Sequence, residues 1–532
     1  MIRSSAPTTP VPGGIAAASG VLAAGAALAA GELVCGLLGE GPTLVTAVGT
    51  QFIDRFAASL KDVAVAVFGT DDKTALIVGI IVVSLLIGAA LGRVAVRRPL
   101  VAVAGFVAFG AVGLLSYLAD PQGDGMTGVV AAVVSVAVGL SVLFGLLHVY
   151  RSHARSEAAI AAGEPDGDTA PAPAGGSRRA FLLAGGATAV GTVVAASLGR
   201  RLGSTDVVDA AREVTQLPPV AAGAAGGPAV SGGSFDVAGL TPYVTPNDDF
   251  YRIDTALSTP QVDVDDWSLS ITGMVDRPYT ITYDELVAMA TTEDTVTLQC
   301  VSNEVGGNLV GNAVWQGVPL ADLLERAGVQ DGATQIVGRS VDDFTAGFPT
   351  EIGLDGRTAL VAVGMNGEPL PATHGFPARL VVAGLYGYVS ATKWLREIEL
   401  TTWDGFDGYW VPRGWSKEGP VKTMSRIDVP RSGATLPAGP QAIAGVAWAP
   451  PGGVQRVEVQ VGEDGEWTEA DVGDAVSGNT WVQWKMAWDA TPGEYALRVR
   501  ATGADGVTQT EESAPPAPDG ATGWHRRTVR VS

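Results

Sequence analysis

Hydrophobic and polar positions divide this chain into two halves of different texture. Before residue 151, four runs are apolar enough and long enough for a bilayer-spanning helix of about 20 residues: Gly14–Leu38, Thr74–Val96, Leu100–Leu118 and Thr127–Tyr150. A cleaved signal peptide is a poor reading of the first run, because three more spans follow it. Pro42–Phe68 mixes Val, Ala, Phe and Leu with Asp54, Arg55, Lys61 and Asp62. That mixture predicts an amphipathic helix lying on the membrane surface. From Phe235 onward, short alternating stretches predict strands, among them Trp267–Thr272, Thr295–Gln299, Gln335–Val337 and Arg379–Val382. Helical pieces at Tyr283–Ala290 and Leu320–Ala327 interrupt them, giving an α+β pattern rather than a regular βαβ alternation. Beyond Met424 only strand signals remain, at Gln441–Trp448, Val454–Val461, Thr480–Ala487, Glu494–Ala501 and Trp524–Val531. Their spacing and turns predict an immunoglobulin-like β-sandwich.

The expected order is therefore a four-span membrane domain with an interfacial helix (1–156), a cytoplasmic linker (157–176), a signal-like segment with a fifth span (177–202), a flexible tether (203–234), an α+β domain (235–423) and a sandwich (424–532). Arg93, Arg97 and Arg98 place the second–third loop in the cytoplasm. Asp120 and Asp124 lie in an outside loop, and Arg151 and Arg155 return the fourth span inside. The next segment, Ser177-Arg178-Arg179-Ala180-Phe181-Leu182-Leu183, resembles a twin-arginine export signal, and its span would deliver the rest of the chain to the extracytoplasmic side.

Charge sharpens this picture. The net charge is −21, with most Asp and Glu beyond residue 240, which excludes nucleic acid as a partner because phosphate backbones need clustered Lys and Arg. No dinucleotide fingerprint or P-loop occurs, and two cysteines cannot build a zinc site or iron–sulfur cluster. The first 147 residues hold no His, so a bis-histidine haem among the spans is not expected; His148 and His153 lie at one membrane edge.

Cys300 is the candidate centre of chemistry. Cys35, the other cysteine, lies in the first apolar run, so a disulfide is not expected. A lone cysteine is more often a small buried hydrophobe than a thiolate ligand, and the surroundings decide. Here Thr297-Leu298-Gln299-Cys300 is followed by Gly311-Asn312-Ala313-Val314-Trp315-Gln316-Gly317-Val318-Pro319-Leu320. Next come Met365-Asn366-Gly367-Glu368-Pro369-Leu370-Pro371, His374-Gly375-Phe376-Pro377-Ala378-Arg379-Leu380 and Lys393-Trp394-Leu395. In that order the blocks resemble sulfite-oxidase-type molybdopterin-dependent oxidoreductases over about residues 240–530.

The resemblance implies one molybdenum–molybdopterin per chain, with Cys300 as the metal's thiolate ligand and catalytic residue. It also implies that Arg379 and Lys393 hold the pterin phosphate, that His374 contacts the pterin, and that Tyr251, Arg252 and Asp254 wrap the cofactor, with Thr392 contributing. Where the family places substrate-binding arginines, this chain has Ile253, Val305 and Gly452. Where the family has an active-site tyrosine it has Val363. Loss of those anchors predicts a substrate less charged than sulfite or nitrate, such as a sulfoxide, in a pocket with Ile, Val and Glu304. With neither haem nor iron–sulfur ligands, the expected enzyme needs a separate electron-transfer partner, such as a cytochrome or a membrane redox protein. The family's sandwich implies a possible homodimer. The competing reading is a non-catalytic sensor or binding module on the same cofactor fold, and a cell-surface adhesion protein ranks last.

Overall fold

A computed structural model describes residues 10–38, 41–55, 72–161, 176–202, 206–220 and 235–532. It divides into two compact units, one made of residues 1–205 with 256–261 and the other of 206–255 with 262–532.

The first unit is helical. Helices α1 (Gly13–Leu38), α2 (44–55), α3 (Asp72–Ala95), α4 (Pro99–Leu118), α5 (Gly125–Ala161) and α6 (Gly176–Leu202) follow one another. All but α2 are long and apolar enough to cross a membrane. Central α1 packs against α3, α5 and α6 through small residues. A Cβ on Gly20 would lie 1.9 Å from the Gly88 carbonyl oxygen, so the two backbones meet only because neither residue has a side chain. Thr43 caps α2 by accepting the Thr46 N–H at 3.2 Å.

Two differences from the sequence expectation arise here. The fourth span was expected to stop at Tyr150 and a disordered linker to start at Glu157. Instead α5 continues to Ala161, because the segment after the span is good helix-forming sequence and Glu157 is tied down. Its carboxylate accepts from the Ser177 N–H at 3.0 Å and the Ser177 hydroxyl at 2.7 Å, which fastens α5 to the start of α6. The flexible tether likewise contains a helix, α7 (Asp206–Val214), whose Val208 is buried in the core of the second unit and whose Arg212 donates to the Pro369 carbonyl at 3.3 Å. Residues 56–68 of the proposed interfacial helix, 162–175 of the linker, and 203–205 and 221–234 of the tether lie outside the described residues.

The second unit begins with a mixed α+β region built from β1 (Ser268–Gly273), β2 (Tyr279–Thr282), α8 (Tyr283–Met289), β3 (Thr292–Gln299), β4 (Val310–Pro319) and α9 (Leu320–Ala327). It continues with β5 (Gln335–Ser340), β6 (Thr345–Pro349), α10 (Thr350–Leu354), β7 (Ala359–Met365), β8 (Glu368–Pro369), β9 (Arg379–Val382), α11 (Gly387–Ser390) and β10 (Leu395–Thr401). One sheet runs β2-β1-β10-β5-β6. The other runs β3-β4-β7-β8, with β9 paired to β7. Local signals set the boundaries. Thr282 and Glu285 form a reciprocal capping box at the start of α8, and Gly328 closes α9 in the left-handed conformation. Leu269, Ile271, Leu298, Trp315, Leu324, Ile336, Phe348, Val361 and Ile398 share the core between the sheets.

The chain then makes two further sheets. One joins Met424–Val429, Gly439–Trp448, Val482–Ala490 and Asp471–Val472; the other joins Thr435–Leu436, His525–Val531, Gly493–Gly503, Val454–Val461 and Trp467–Glu469. They share one core, with Ile443 and Trp484 from the first meeting Val459, Leu497 and Val529 from the second.

Strand β3 is where the α+β region and the two-sheet domain are joined. Val-Thr-Leu-Gln alternation reads as a strand with one wet face, yet every residue from Asp294 to Gln299 is buried. Val296 and Leu298 enter the α+β core. Thr297 accepts the Trp481 N–H at 2.7 Å, and its own N–H donates to the Asn479 carbonyl at 3.0 Å. Gln299 accepts the Trp448 indole N–H at 2.7 Å and donates to the Met424 sulfur at 3.3 Å.

Two predictions follow from this seam. Trp448→Phe leaves a buried Gln299 oxygen without its donor and should lower unfolding free energy by about 1–3 kcal/mol in denaturant titration, whereas Trp488→Phe at a half-buried site should cost less. His525 accepts the Ile427 N–H on Nδ1 at 2.9 Å; burial, then Arg527 and Arg426, push its pKa down to about 4. Above pH 6.5 both folded and unfolded chains hold it neutral; below, the unfolded chain takes a proton that the folded chain refuses until about pH 4. Its stabilisation is therefore complete above 6.5 and lost as pH falls to about 4, on the order of 3 kcal/mol. His525→Asn should flatten that part of the thermal-midpoint profile against pH.

Candidate active site

Cys300 is the first residue after β3, so the seam that holds Thr297 and Gln299 also sets its position. Its N–H donates to the Leu309 carbonyl at 2.9 Å and its carbonyl accepts from Asn303 N–H at 3.0 Å. Asn303, itself buried, accepts the Leu309 N–H on its side chain at 2.8 Å and so pins the 300–309 loop closed. The Ser302 N–H points at Cys300 Sγ from 3.4 Å. Neither cysteine forms a disulfide.

Aromatic and cationic groups gather beside this sulfur. Tyr251 stacks on Phe250 with ring centroids 5.1 Å apart, and Phe250 meets the edges of Trp315 and His374 at 5.8 and 5.6 Å. The Tyr251 hydroxyl is held firmly protonated, first by burial and then by the negative charge of Cys300, with Arg379 opposing. Tyr251 thus lies within electrostatic reach of both Cys300 and Arg379.

Arg379 opens β9 and is 5% exposed. Its Nη1 donates to the His374 carbonyl at 3.0 Å, and its guanidinium lies 4.9 Å from the centroid of Trp315. Among the described residues no carboxylate forms an ion pair with it, and burial brings its pKa down to about 10. A buried guanidinium without a carboxylate is costly unless an anion completes it. Lys393 is also buried, but it has a carboxylate. Its Nζ lies 2.7 Å from Asp254, which Arg252 also contacts at 3.0 Å, and it donates to the Thr373 carbonyl at 3.1 Å. Burial lowers its pKa to about 8, with Asp254 working the other way. Gly375, at φ +113°, lets the His374 turn approach this lysine, because a Cβ there would sit 3.0 Å from the Lys393 side chain.

The structure thus brings Tyr251, Cys300 and Arg379 together, and joins Arg252, Asp254 and Lys393 into one charged group. His374 is buried and its Nε2 is 3.0 Å from the Asn247 carbonyl, so that nitrogen carries the proton. Burial, foremost, lowers its pKa to about 4 and keeps the ring neutral. Thr392 is not brought to the group through its hydroxyl, which donates to the Gly338 carbonyl at 3.4 Å inside the fold. Of the four substituted positions, Ile253 is exposed, Val305 packs with Tyr243, Val310 and Met424, and Val363 is a core residue of β7. Gly452 lies in the turn before Val454–Val461, and Glu304 is exposed.

Two participants escaped the sequence reading. Tyr386, fully buried just before α11, lies within electrostatic reach of Cys300, and its hydroxyl accepts the Lys422 N–H at 3.5 Å. Burial, then Asp519 and Cys300, push its pKa to about 12, so it is a neutral hydroxyl. The Leu385-Tyr386-Gly387-Tyr388 stretch was the available signal, since buried tyrosines need a partner for the hydroxyl. Asp342, in the β5–β6 turn, shares the field of Asp254 and Lys393, and burial foremost raises its pKa. Nothing local distinguished it from a turn aspartate.

The residues fit a phosphate-bearing pterin that presents a soft metal to sulfur: one free cysteine sulfur at the closed loop, and a buried guanidinium with no carboxylate ion pair among the described residues. Residues 256–410 match the family described as the oxidoreductase molybdopterin binding domain. The uncharacterized oxidoreductase YuiH of Bacillus subtilis (strain 168) is 35% identical over 157 residues, covering 30% of this chain and 76% of that protein. The mitochondrial sulfite oxidase of Rattus norvegicus is 29% identical over 273 residues, 43% of this chain and 49% of its own length. The NADH nitrate reductase of Solanum lycopersicum is 34% identical over 170 residues, 27% of this chain and 19% of its own length. The chain thus spans three quarters of YuiH, about half of the sulfite oxidase and a fifth of the nitrate reductase. The thiolate-and-cation site and these matches together place the chain in the sulfite-oxidase-type family of molybdopterin-dependent oxidoreductases.

Proposed function

We propose that this chain is a membrane-anchored oxidoreductase whose molybdopterin domain works outside the cytoplasm, on a small substrate less charged than sulfite. The observation that carries the reading is the buried Arg379 guanidinium, without a carboxylate, electrostatically linked through Tyr251 to the thiolate position. When bound, the molybdenum cofactor supplies exchange of an oxygen atom for two electrons. Cys300 would ligate the metal, Arg379 and Lys393 would hold the phosphate, and Tyr251, Arg252 and Asp254 would line the cofactor's path. Tyr386 keeps its proton at neutral pH and orients a substrate oxygen as a neutral donor. The two-sheet domain, which we read as an immunoglobulin-type sandwich, seals the far side of β3 against water and offers a surface for dimer formation.

Support for the anchor comes from the five apolar helices and the distribution of arginines in their loops, and support for export from the twin-arginine-like segment. Support for a weakly charged substrate comes from Ile253, Val305, Gly452 and Val363 standing where arginines and a tyrosine were expected. Support for a separate electron carrier comes from a sequence with no His in its first 147 residues and only two cysteines.

Purified protein should approach one molybdenum per chain by elemental analysis, and Arg379→Ala should retain about tenfold less, with Arg379→Lys between them. A parent chain that never holds molybdenum would assign the fold to a binding module instead. With a dye as electron partner, sulfoxides or N-oxides should turn over at least about a hundredfold faster than sulfite, given the lost charge-assisted hydrogen bonds. Sulfite turnover in the usual enzymatic range of about 1–1,000 per second would overturn the substrate assignment.

A further inference from the structure

The helical unit holds a half-open cavity of about 610 Å³ among α1, α2, α3, α4 and α5, within the range of small-molecule sites. Its walls are mainly aliphatic, with Phe106 and Phe109 as flat apolar faces. Three polar residues break that surface, Glu32, Ser84 and Ser135, and the Ser84 hydroxyl is already bonded to the Ile80 carbonyl. Glu32 contributes a carboxylate from the apolar helix α1, with Arg200 of α6 at 3.7 Å behind it. An ionisable group at such a position is expensive unless it has a function. Ser135 of α5 lines the same cavity and is 8% exposed.

Serines in apolar helices usually donate to the carbonyl four residues back, as Ser19 does to Ile15 at 2.9 Å and Ser84 to Ile80 at 2.6 Å. The buried Ser135 hydroxyl makes no hydrogen bond among the described residues. It lies over Gly31, where an added Cβ would stand 2.7 Å from it, and rotation about one bond turns it to a ligand. A buried hydroxyl without a partner marks a site whose hydrogen-bonding ligand comes from elsewhere.

We infer that this cavity binds the head of a lipid-soluble p-quinone, in its quinone or quinol form. Such a head is flat and apolar on both faces, which suits Phe106 and Phe109. A quinone carbonyl accepts from the Ser135 hydroxyl, and a quinol hydroxyl donates to the Glu32 carboxylate. An acyl chain offers nothing to the Ser135 hydroxyl, and a phosphate head would meet the Glu32 charge. The inference rests on the helical unit alone.

The test is photolabelling of the detergent-solubilised full chain with an azido-benzoquinone carrying a decyl tail, followed by peptide mapping. Label should concentrate on peptides of the cavity helices and be displaced by excess decyl-benzoquinone but not by dodecanol. Ser135→Ala should weaken half-saturation about tenfold, the loss of one hydrogen bond to a buried group. Gly79→Phe, which lines the cavity where a Cβ meets open space, should abolish specific labelling. Label scattered over all apolar helices, equal displacement by dodecanol, or parental labelling of both variants would overturn the inference. Because molybdenum-free chain serves equally well, failure here leaves the molybdopterin reading untouched, and loss of that reading leaves this result standing.

Discussion

The active site depends on strand β3 being held from both sides at once. Val296 and Leu298 fasten it to the α+β core, while Thr297 and Gln299 are hydrogen-bonded into the two-sheet domain. Cys300 follows directly, so the sulfur inherits its place from a strand with little freedom. Thr297 and Gln299 use neutral hydroxyl and amide groups, matched to the Trp481 N–H and the Trp448 indole. Buried groups of this kind are inexpensive when every member is satisfied and costly when one is lost. The seam therefore specifies position more than it adds stability.

Around that sulfur, the electrostatics divide the cations into two kinds. Lys393 and Arg252 share Asp254, an internal balance that keeps them ordered without any ligand. Arg379 has only carbonyls and the face of Trp315, so its charge is left for something else to neutralise. That asymmetry separates Arg379 from the other buried cation of the group. The hydroxyls of Tyr251 and Tyr386, kept protonated mainly by burial, add donors and acceptors without adding charge.

The helical unit follows a different logic. Its helices meet through glycines, as where Gly20 of α1 faces Gly88 of α3, and backbone contact replaces large interlocking side chains. Packing of that kind leaves room elsewhere in the bundle, and the cavity beside Glu32 and Ser135 is where the room collects.

The sequence by itself determined the apolar helices, the α+β and all-β textures, and the blocks around Cys300, His374, Arg379 and Lys393. Those features are written in local periodicity and in short motifs. Only the tertiary structure decided that Thr297 and Gln299 are buried, because a strand with alternating polarity looks the same whether its polar face meets water or another domain. It also decided that α7 is a helix inside what read as a tether, through the burial of Val208, and that Tyr386 belongs to the site, through a fold that returns it to Cys300. Thr392 stood beside Lys393 in the chain, yet its hydroxyl turned to the Gly338 carbonyl inside the fold. Which side chains converge depends on contacts between residues far apart in sequence, and no local pattern encodes those.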